Sequence, residues 1–224
     1  MSLENLYERM AQSVLAGEAD GAAAMAREAV ASGLDPLEAI NRGYRVGMDR
    51  VGELFARGEY FLPDLILGGE AMKSALAVLD PALKARGGAQ PVLGKVVLGT
   101  VAGDIHEIGK TLVGTMLSAS GFEVFDLGTN VKTETFIEKV KETGADFIGL
   151  SALLTTTMRV QKEVIEALER AGLRAEVKVL VGGAPVTQKW ADQIGADGFA
   201  EDAASAVAIA KKLAAARPAL LTHC

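Results

Sequence analysis

The chain has 224 residues, of which 50% are hydrophobic and 23% charged, an ordinary composition for a folded globular protein. Its formal net charge of −6 argues against a nucleic-acid backbone or an anionic membrane as the main partner. No apolar run approaches the ~20 residues that span a bilayer, and the opening MSLENLYERMAQ lacks the basic and apolar regions of a signal peptide. The single cysteine, Cys224, has no internal disulfide partner. A cytoplasmic location is the expectation.

Residues 1 to about 86 read as helix throughout. Leu3, Leu6, Tyr7, Met10, Val14 and Leu15 recur at helical spacing, and Gly17 can stop that helix. An alanine-rich helix follows over about Asp20 to Ala31. Asp35-Pro36 is a cap followed by an N1 proline, and it opens a third helix that runs to about Arg57. Phe61-Leu62-Pro63-Asp64 starts a fourth, reaching about Leu83. Short connections between four helices predict a small antiparallel bundle. Gly68-Gly69 inside the fourth helix costs about 1 kcal/mol per residue relative to alanine, so close packing is expected there.

Ala85 to Pro91, ARGGAQP, reads as a linker, which places the domain boundary between 1–88 and 89–224. After it the apolar period changes. Predicted strands at Lys95–Val101, Glu123–Leu127, Phe147–Leu150, Val177–Val181 and Gly198–Ala200 alternate with predicted helices. The helices fall at Ile108–Ala119, Thr133–Thr143, Thr157–Ala171, Val186–Ile194 and Asp202–Ala216. That alternation specifies a five-stranded parallel sheet covered on both faces, a flavodoxin-like (Rossmann-like) domain. The fold class is therefore α + α/β, a four-helix cap followed by a doubly covered sheet.

Open α/β sheets place their ligands at the carboxyl ends of the strands. Four predicted loops meet that edge: Asp104-Ile105-His106-Glu107, Leu127–Asn130, Ser151–Thr157 and Gly182–Pro185. They offer glycines, hydroxyls and one imidazole. The hydrolase pattern G-x-S-x-G, the nucleotide-binding G-x-G-x-x-G and a Walker loop are all missing. Asp104 and His106 have no further His or Cys nearby to complete a zinc site. Two readings of His106 stay open on composition: a helix-capping or turn residue, or the one protein ligand to a metal already held by a bulky macrocycle. In the second, Asp104 is the carboxylate that fixes the histidine's tautomer.

The motif DIHEIG matches the D-x-H-x-x-G signature of cobalamin-binding domains. After Gly109 come 41 residues and then Ser151-Ala152-Leu153, which matches the family's S-x-L; after Leu153 come 28 more and then Gly182-Gly183, which matches its terminal G-G. With the preceding helical cap, the chain resembles the corrinoid proteins of methylamine and methanol methyltransferase systems over nearly its whole length. It is similar to the cap and cobalamin module of cobalamin-dependent methionine synthase as well.

The resemblance implies cobalamin bound base-off, with His106 as the lower axial cobalt ligand, Asp104 bonded to it and Thr157 completing a relay. It implies that Glu107, Ile108 and Gly109 border the corrin. Ser151, Leu153, Thr155, Gly182 and Gly183 would line the slot for the displaced nucleotide tail, with Phe199, Ala200 and Asp202 at its edge. In the cap, Gly58–Asp64 corresponds to the segment over the methyl-bearing face; Phe61 and Leu62 are its candidates for contact, with Leu65 and Met72 behind them. The implied function is a methyl carrier that is not catalytic alone. A substrate-specific methyltransferase loads Co(I), and a second methyltransferase takes the methyl from methyl-Co(III) to an acceptor such as tetrahydrofolate or coenzyme M. A corrinoid reactivation protein is a further implied partner; nucleic acid and membrane are not. The alternatives are a cobalamin-responsive sensor or a subunit of an adenosylcobalamin-dependent enzyme.

Overall fold

The computed structural model describes residues 3–86 and 92–216. Most of the predicted linker, together with His223 and Cys224, lies outside the described residues. The described chain divides into two compact units: residues up to Val92 with Ser118–Gly121, and Leu93 onward without that segment.

The first unit is helical. In α1 (Leu3–Leu15) the predicted stripe of Leu6, Tyr7, Met10 and Val14 is buried. In α2 (Ala19–Ala31) the buried side chains are Ala22, Ala26 and Ala29, small enough for neighbouring helices to approach closely. Asp35 caps the third helix, its carboxylate accepting from the Leu37 amide at 3.0 Å. That helix is not uniform. It runs as α3 (Pro36–Glu38), a π-helical stretch (Ala39–Tyr44) and α4 (Arg45–Ala56), where the sequence predicts one regular helix. Glycines line its approach to α1: a Cβ on Gly47 would lie 2.4 Å from the Ala11 carbonyl oxygen. Helix α5 (Leu62–Ala85) starts where Asp64 accepts from the Phe61 amide at 2.8 Å. Gly68 is indeed tightly packed, since a Cβ there would sit 3.2 Å from the Val14 carbonyl oxygen and from Val51. No helix among the described residues is long and apolar enough to cross a membrane.

The second unit alternates β1 (Lys95–Thr100), α6 (Ile108–Ala119), β2 (Glu123–Asp126), α7 (Thr133–Thr143), β3 (Phe147–Ser151), α8 (Met158–Arg170), β4 (Lys178–Gly182), α9 (Gln188–Ile194), β5 (Gly198–Ala200) and α10 (Ala203–Ala215). The sheet is wholly parallel in the order β2-β1-β3-β4-β5. Its order reverses between β1 and β3, so the loops leaving those two strands flank the switch-point crevice. Side chains alternate across the sheet. Val97, Ile148, Leu150, Val179 and Val181 join Phe136 of α7 and Val164, Ile165 and Leu168 of α8 in one buried cluster. Val96, Leu98, Gly149, Leu180 and Ala200 take part in the opposite face, with α6 and α10.

Candidate cofactor site

The β1 strand stops because the chain must turn: Val101 makes a last bridge to Val131, and Gly103 adopts φ +82. The polypeptide then runs as an irregular loop over Asp104–Glu107 before α6 begins. Three anchors outside the motif hold this loop. The buried Thr100 hydroxyl donates to the His106 carbonyl at 2.9 Å. Asn130 takes the left-handed φ of 54, unusual without glycine. There its side-chain oxygen accepts from the Gly103 amide at 2.8 Å, and its own amide donates to the Asp104 carbonyl at 2.9 Å.

Asp104 is the electrostatic centre. Its side chain is 0% exposed, yet both carboxylate oxygens are fully used. Oδ1 accepts from the His106 amide at 3.1 Å and lies 2.7 Å from His106 Nδ1. Oδ2 accepts from the Leu153 amide at 2.7 Å, the Leu154 amide at 3.2 Å and the Thr157 hydroxyl at 2.8 Å. Burial pushes this carboxyl up, but the bonds from His106, Thr157 and Leu153 outweigh it and hold the group well below the usual carboxylate range. A carboxylate so stabilised is acceptor-only, so in the neutral imidazole the tautomer that pairs with it carries its proton on Nδ1 and has its lone pair on Nε2.

Thr157 is the N-cap residue of α8, but its side chain makes no capping bond. The hydroxyl instead has two acceptors within reach, Asp104 and the Leu154 carbonyl at 2.9 Å, and one proton to give. The three predicted relay residues are therefore contiguous. Around the imidazole, Ile105 and Ile108 are 78% and 90% exposed, an apolar surround unusual beside a half-exposed charged loop.

Beside the loop a cavity of about 300 Å³ opens between the sheet and helices α6 and α10. Of the candidate residues, Ser151, Leu153, Gly182, Gly183, Ala200 and Asp202 line it, together with Gly109, which the resemblance places at the corrin edge. At two of its glycines an added Cβ would be crowded, at Gly183 prohibitively. A Cβ on Gly183, whose φ is +122, would lie 1.9 Å from the Ala152 carbonyl oxygen; one on Gly182 would lie 3.1 Å from that of Ala200. Gly109 is different, since a Cβ there meets nothing within 4 Å. Thr155 and Phe199 are not among the lining residues. Thr155 is exposed on the loop before α8, and Phe199 packs on the cluster behind the sheet because alternation sends its side chain away from Ala200. Glu107 is exposed, 4.0 Å from Lys110. Phe61 and Leu62 are exposed at the start of α5, whereas Leu65 and Met72 are buried.

Thr100, Asn130 and Lys110 escape a motif reading. Lys110, directly after the motif glycine, has a fully buried side chain that lines the cavity and lies 2.6 Å from Asp126 Oδ1. Asp126 Oδ1 also accepts from Gly128 at 2.9 Å, and the Gly128 carbonyl accepts from the Thr100 amide at 3.0 Å. The helix after His106 is thus tied to the loop that carries Asn130. A lysine one residue past D-x-H-x-x-G and an aspartate closing β2 are the only sequence traces of this brace.

Residues 94–208 match the family model of a B12 binding domain, and residues 6–80 match a second B12 binding domain model. The chain is 48% identical over 210 residues to corrinoid protein DSY3155 of Desulfitobacterium hafniense, covering 93% of this chain and 97% of the relative. It is 48% identical over 215 residues to dimethylamine corrinoid protein 1 of Methanosarcina acetivorans, covering 96% and 100%. A chain in the crystal structure of the methanol:cobalamin methyltransferase complex MtaBC from Methanosarcina barkeri superposes with a TM-score of 0.81 at 32% identity, over 96% of this chain and 82% of that one.

Proposed function

The chain belongs to the corrinoid proteins of methyltransferase systems, and from that premise we infer that it is a cobalamin-binding methyl carrier working with methyltransferases. Cobalamin, when bound, supplies the cobalt that carries the methyl group. The protein's part is to hold, orient and shield that cofactor.

The residues present fit this cofactor. His106 can present Nε2 to a ligand because its Nδ1–H donates to Asp104, and the two exposed isoleucines beside it suit an apolar macrocycle. We assign His106 as the lower axial ligand, with cobalamin base-off, and the cavity lined by Ser151, Leu153, Gly182 and Gly183 as the slot for its nucleotide tail. The open space over Gly109 gives a ring system room at the start of α6. Asp104 and Thr157 orient the imidazole and raise its basicity as a ligand. Phe61 and Leu62 are assigned as apolar cover for the methyl group, on the exposure of their side chains.

The partners of this reading are a methyltransferase that loads the carrier, a second that unloads it to an acceptor such as tetrahydrofolate or coenzyme M, and a reactivation protein. The relative in MtaBC, a methanol:cobalamin methyltransferase complex, supports the first. The names of the relatives favour this reading over a sensor or a mutase subunit.

The single observation that carries it is the Thr157–Asp104–His106 chain, closed at 2.8 and 2.7 Å. Mixing the protein with hydroxocobalamin and desalting tests it. Retained corrinoid absorption, from a corrinoid that a methylamine or methanol methyltransferase methylates once titanium(III) citrate has reduced it to Co(I), is the expected result. A colourless protein, under conditions that load a known corrinoid carrier, contradicts it.

A further inference from the structure

Helix α8 packs its apolar stripe of Val160, Val164, Ile165 and Leu168 against the back of the sheet, yet it places one amide there, Gln161, at 0% exposure. A polar group in such a cluster is costly unless every hydrogen-bonding atom is used. Here each is. Gln161 Nε2 donates to the Leu150 carbonyl at 3.0 Å and to the Gly182 carbonyl at 3.2 Å, while Oε1 accepts from Trp190 Nε1 at 3.0 Å. An indole N–H can only donate, so Trp190 fixes which end of the amide faces the strands.

The two carbonyls belong to adjacent strands at the place where the cavity opens. Leu150 pairs with Val181 and Ser151 with Gly182 in the β3–β4 register. One residue further on, the strands are as close as backbone permits, because a Cβ on Gly183 would overlap the Ala152 carbonyl. Gly182 and Gly183 line the cavity from the front. Gln161 holds the Gly182 carbonyl from behind.

We propose that Gln161, oriented by Trp190, is a positioning residue that sets the backbone of the Gly182–Gly183 slot and so determines selection for a corrinoid bearing its nucleotide tail over one without it. This rests on the functional reading above. It is separable from ligation by His106, which lies on a different loop and needs no contact with Gln161.

The test compares cobalamin with cobinamide, the corrinoid without the nucleotide tail, by equilibrium binding to the full chain followed by absorption. Gln161→Glu replaces the donor that faces two carbonyls with a second acceptor. Its expected effect is about a tenfold or greater loss of cobalamin affinity with cobinamide held within about twofold. Gln161→Met keeps the length and removes the bonds, and Trp190→Phe removes only the orienting donor; both should shift the same ratio, Trp190→Phe by less. Should Gln161→Glu fail to fold, as judged by circular dichroism, those two variants carry the test. Equal losses for both corrinoids, or no loss for either, overturn the proposal and leave the methyl-carrier reading standing. A wild-type chain that retains neither corrinoid overturns both.

Discussion

The two faces of the sheet are built from the same five strands to opposite ends. Behind it, valines, isoleucines and leucines close against α7 and α8 into a buried cluster. In front, Gly149, Ser151, Gly182 and Ala200 stand at the alternate positions, and a cavity of about 300 Å³ remains. Period-2 alternation lets one strand serve both purposes, so stability and binding are carried by neighbouring residues that point in opposite directions. Substitutions of strand side chains on the two faces should therefore separate the two properties; Gln161, which reaches the Gly182 carbonyl from behind, and Gly183, in the backbone of the slot itself, bear on both.

Gly183→Ala should have the largest effect, because it combines a φ of +122 with a clash against the Ala152 carbonyl. We expect a loss of about 4 kcal/mol in urea unfolding, with cobalamin binding abolished at any temperature where the fold survives. Ile148→Ala, on the filled face, should cost about 3 kcal/mol through cavity formation. Its preference between cobalamin and cobinamide should be unchanged. A shift in that preference would break the separation of the faces.

Smaller effects sharpen it. Asp202 caps α10, which covers the open face, by accepting from the Ser205 amide at 2.7 Å; Asp202→Ala should cost about 1 kcal/mol. The bonds from the Ser205 amide and hydroxyl hold the Asp202 carboxyl below its ordinary value. Its contribution is therefore present above the unfolded pKa of about 3.9 and lost as pH falls through the lower folded value. Asp202→Asn, which caps without titrating, should remove that part of the acid dependence in unfolding measured against pH. Gly109→Ala should have the smallest effect on the apo protein and the opposite sign: a gain of about 0.5 kcal/mol, since the added Cβ meets only open space in a helix. Weaker corrinoid retention alongside that gain would mark the space as the ligand's.

Much of this was legible in the chain. The strands needed only apolar runs bounded by glycine and loop residues, and Gly198–Ala200 and Ile108–Ala119 fall where periodicity puts them. Asp104, His106, Gly182 and Gly183 were legible because their spacing is a motif, and Thr157 only through the family resemblance that the motif carries. Thr100, Asn130, Lys110 and Gln161 were not, since each acts through a partner distant in sequence and looks locally ordinary. Gln161 reads as one polar residue of an amphipathic helix until the fold turns it inward. Phe199 shows the converse: it follows Gly198 on the right strand, but strand parity sends it to the filled face. The π-helical turn at Ala39–Tyr44 has no signature in an apolar period; Gly43 within it lies close against Met10 of α1.

The most direct measurement is electron spin resonance of the Co(II) form, prepared with ordinary cobalamin and protein labelled throughout with heavy nitrogen. Ligation by His106 requires the cobalt signal to split into the doublet of heavy nitrogen, and His106→Ala should remove that splitting. A triplet from ordinary nitrogen would mean that the cofactor's own base remains on cobalt, and His106 would not be the ligand.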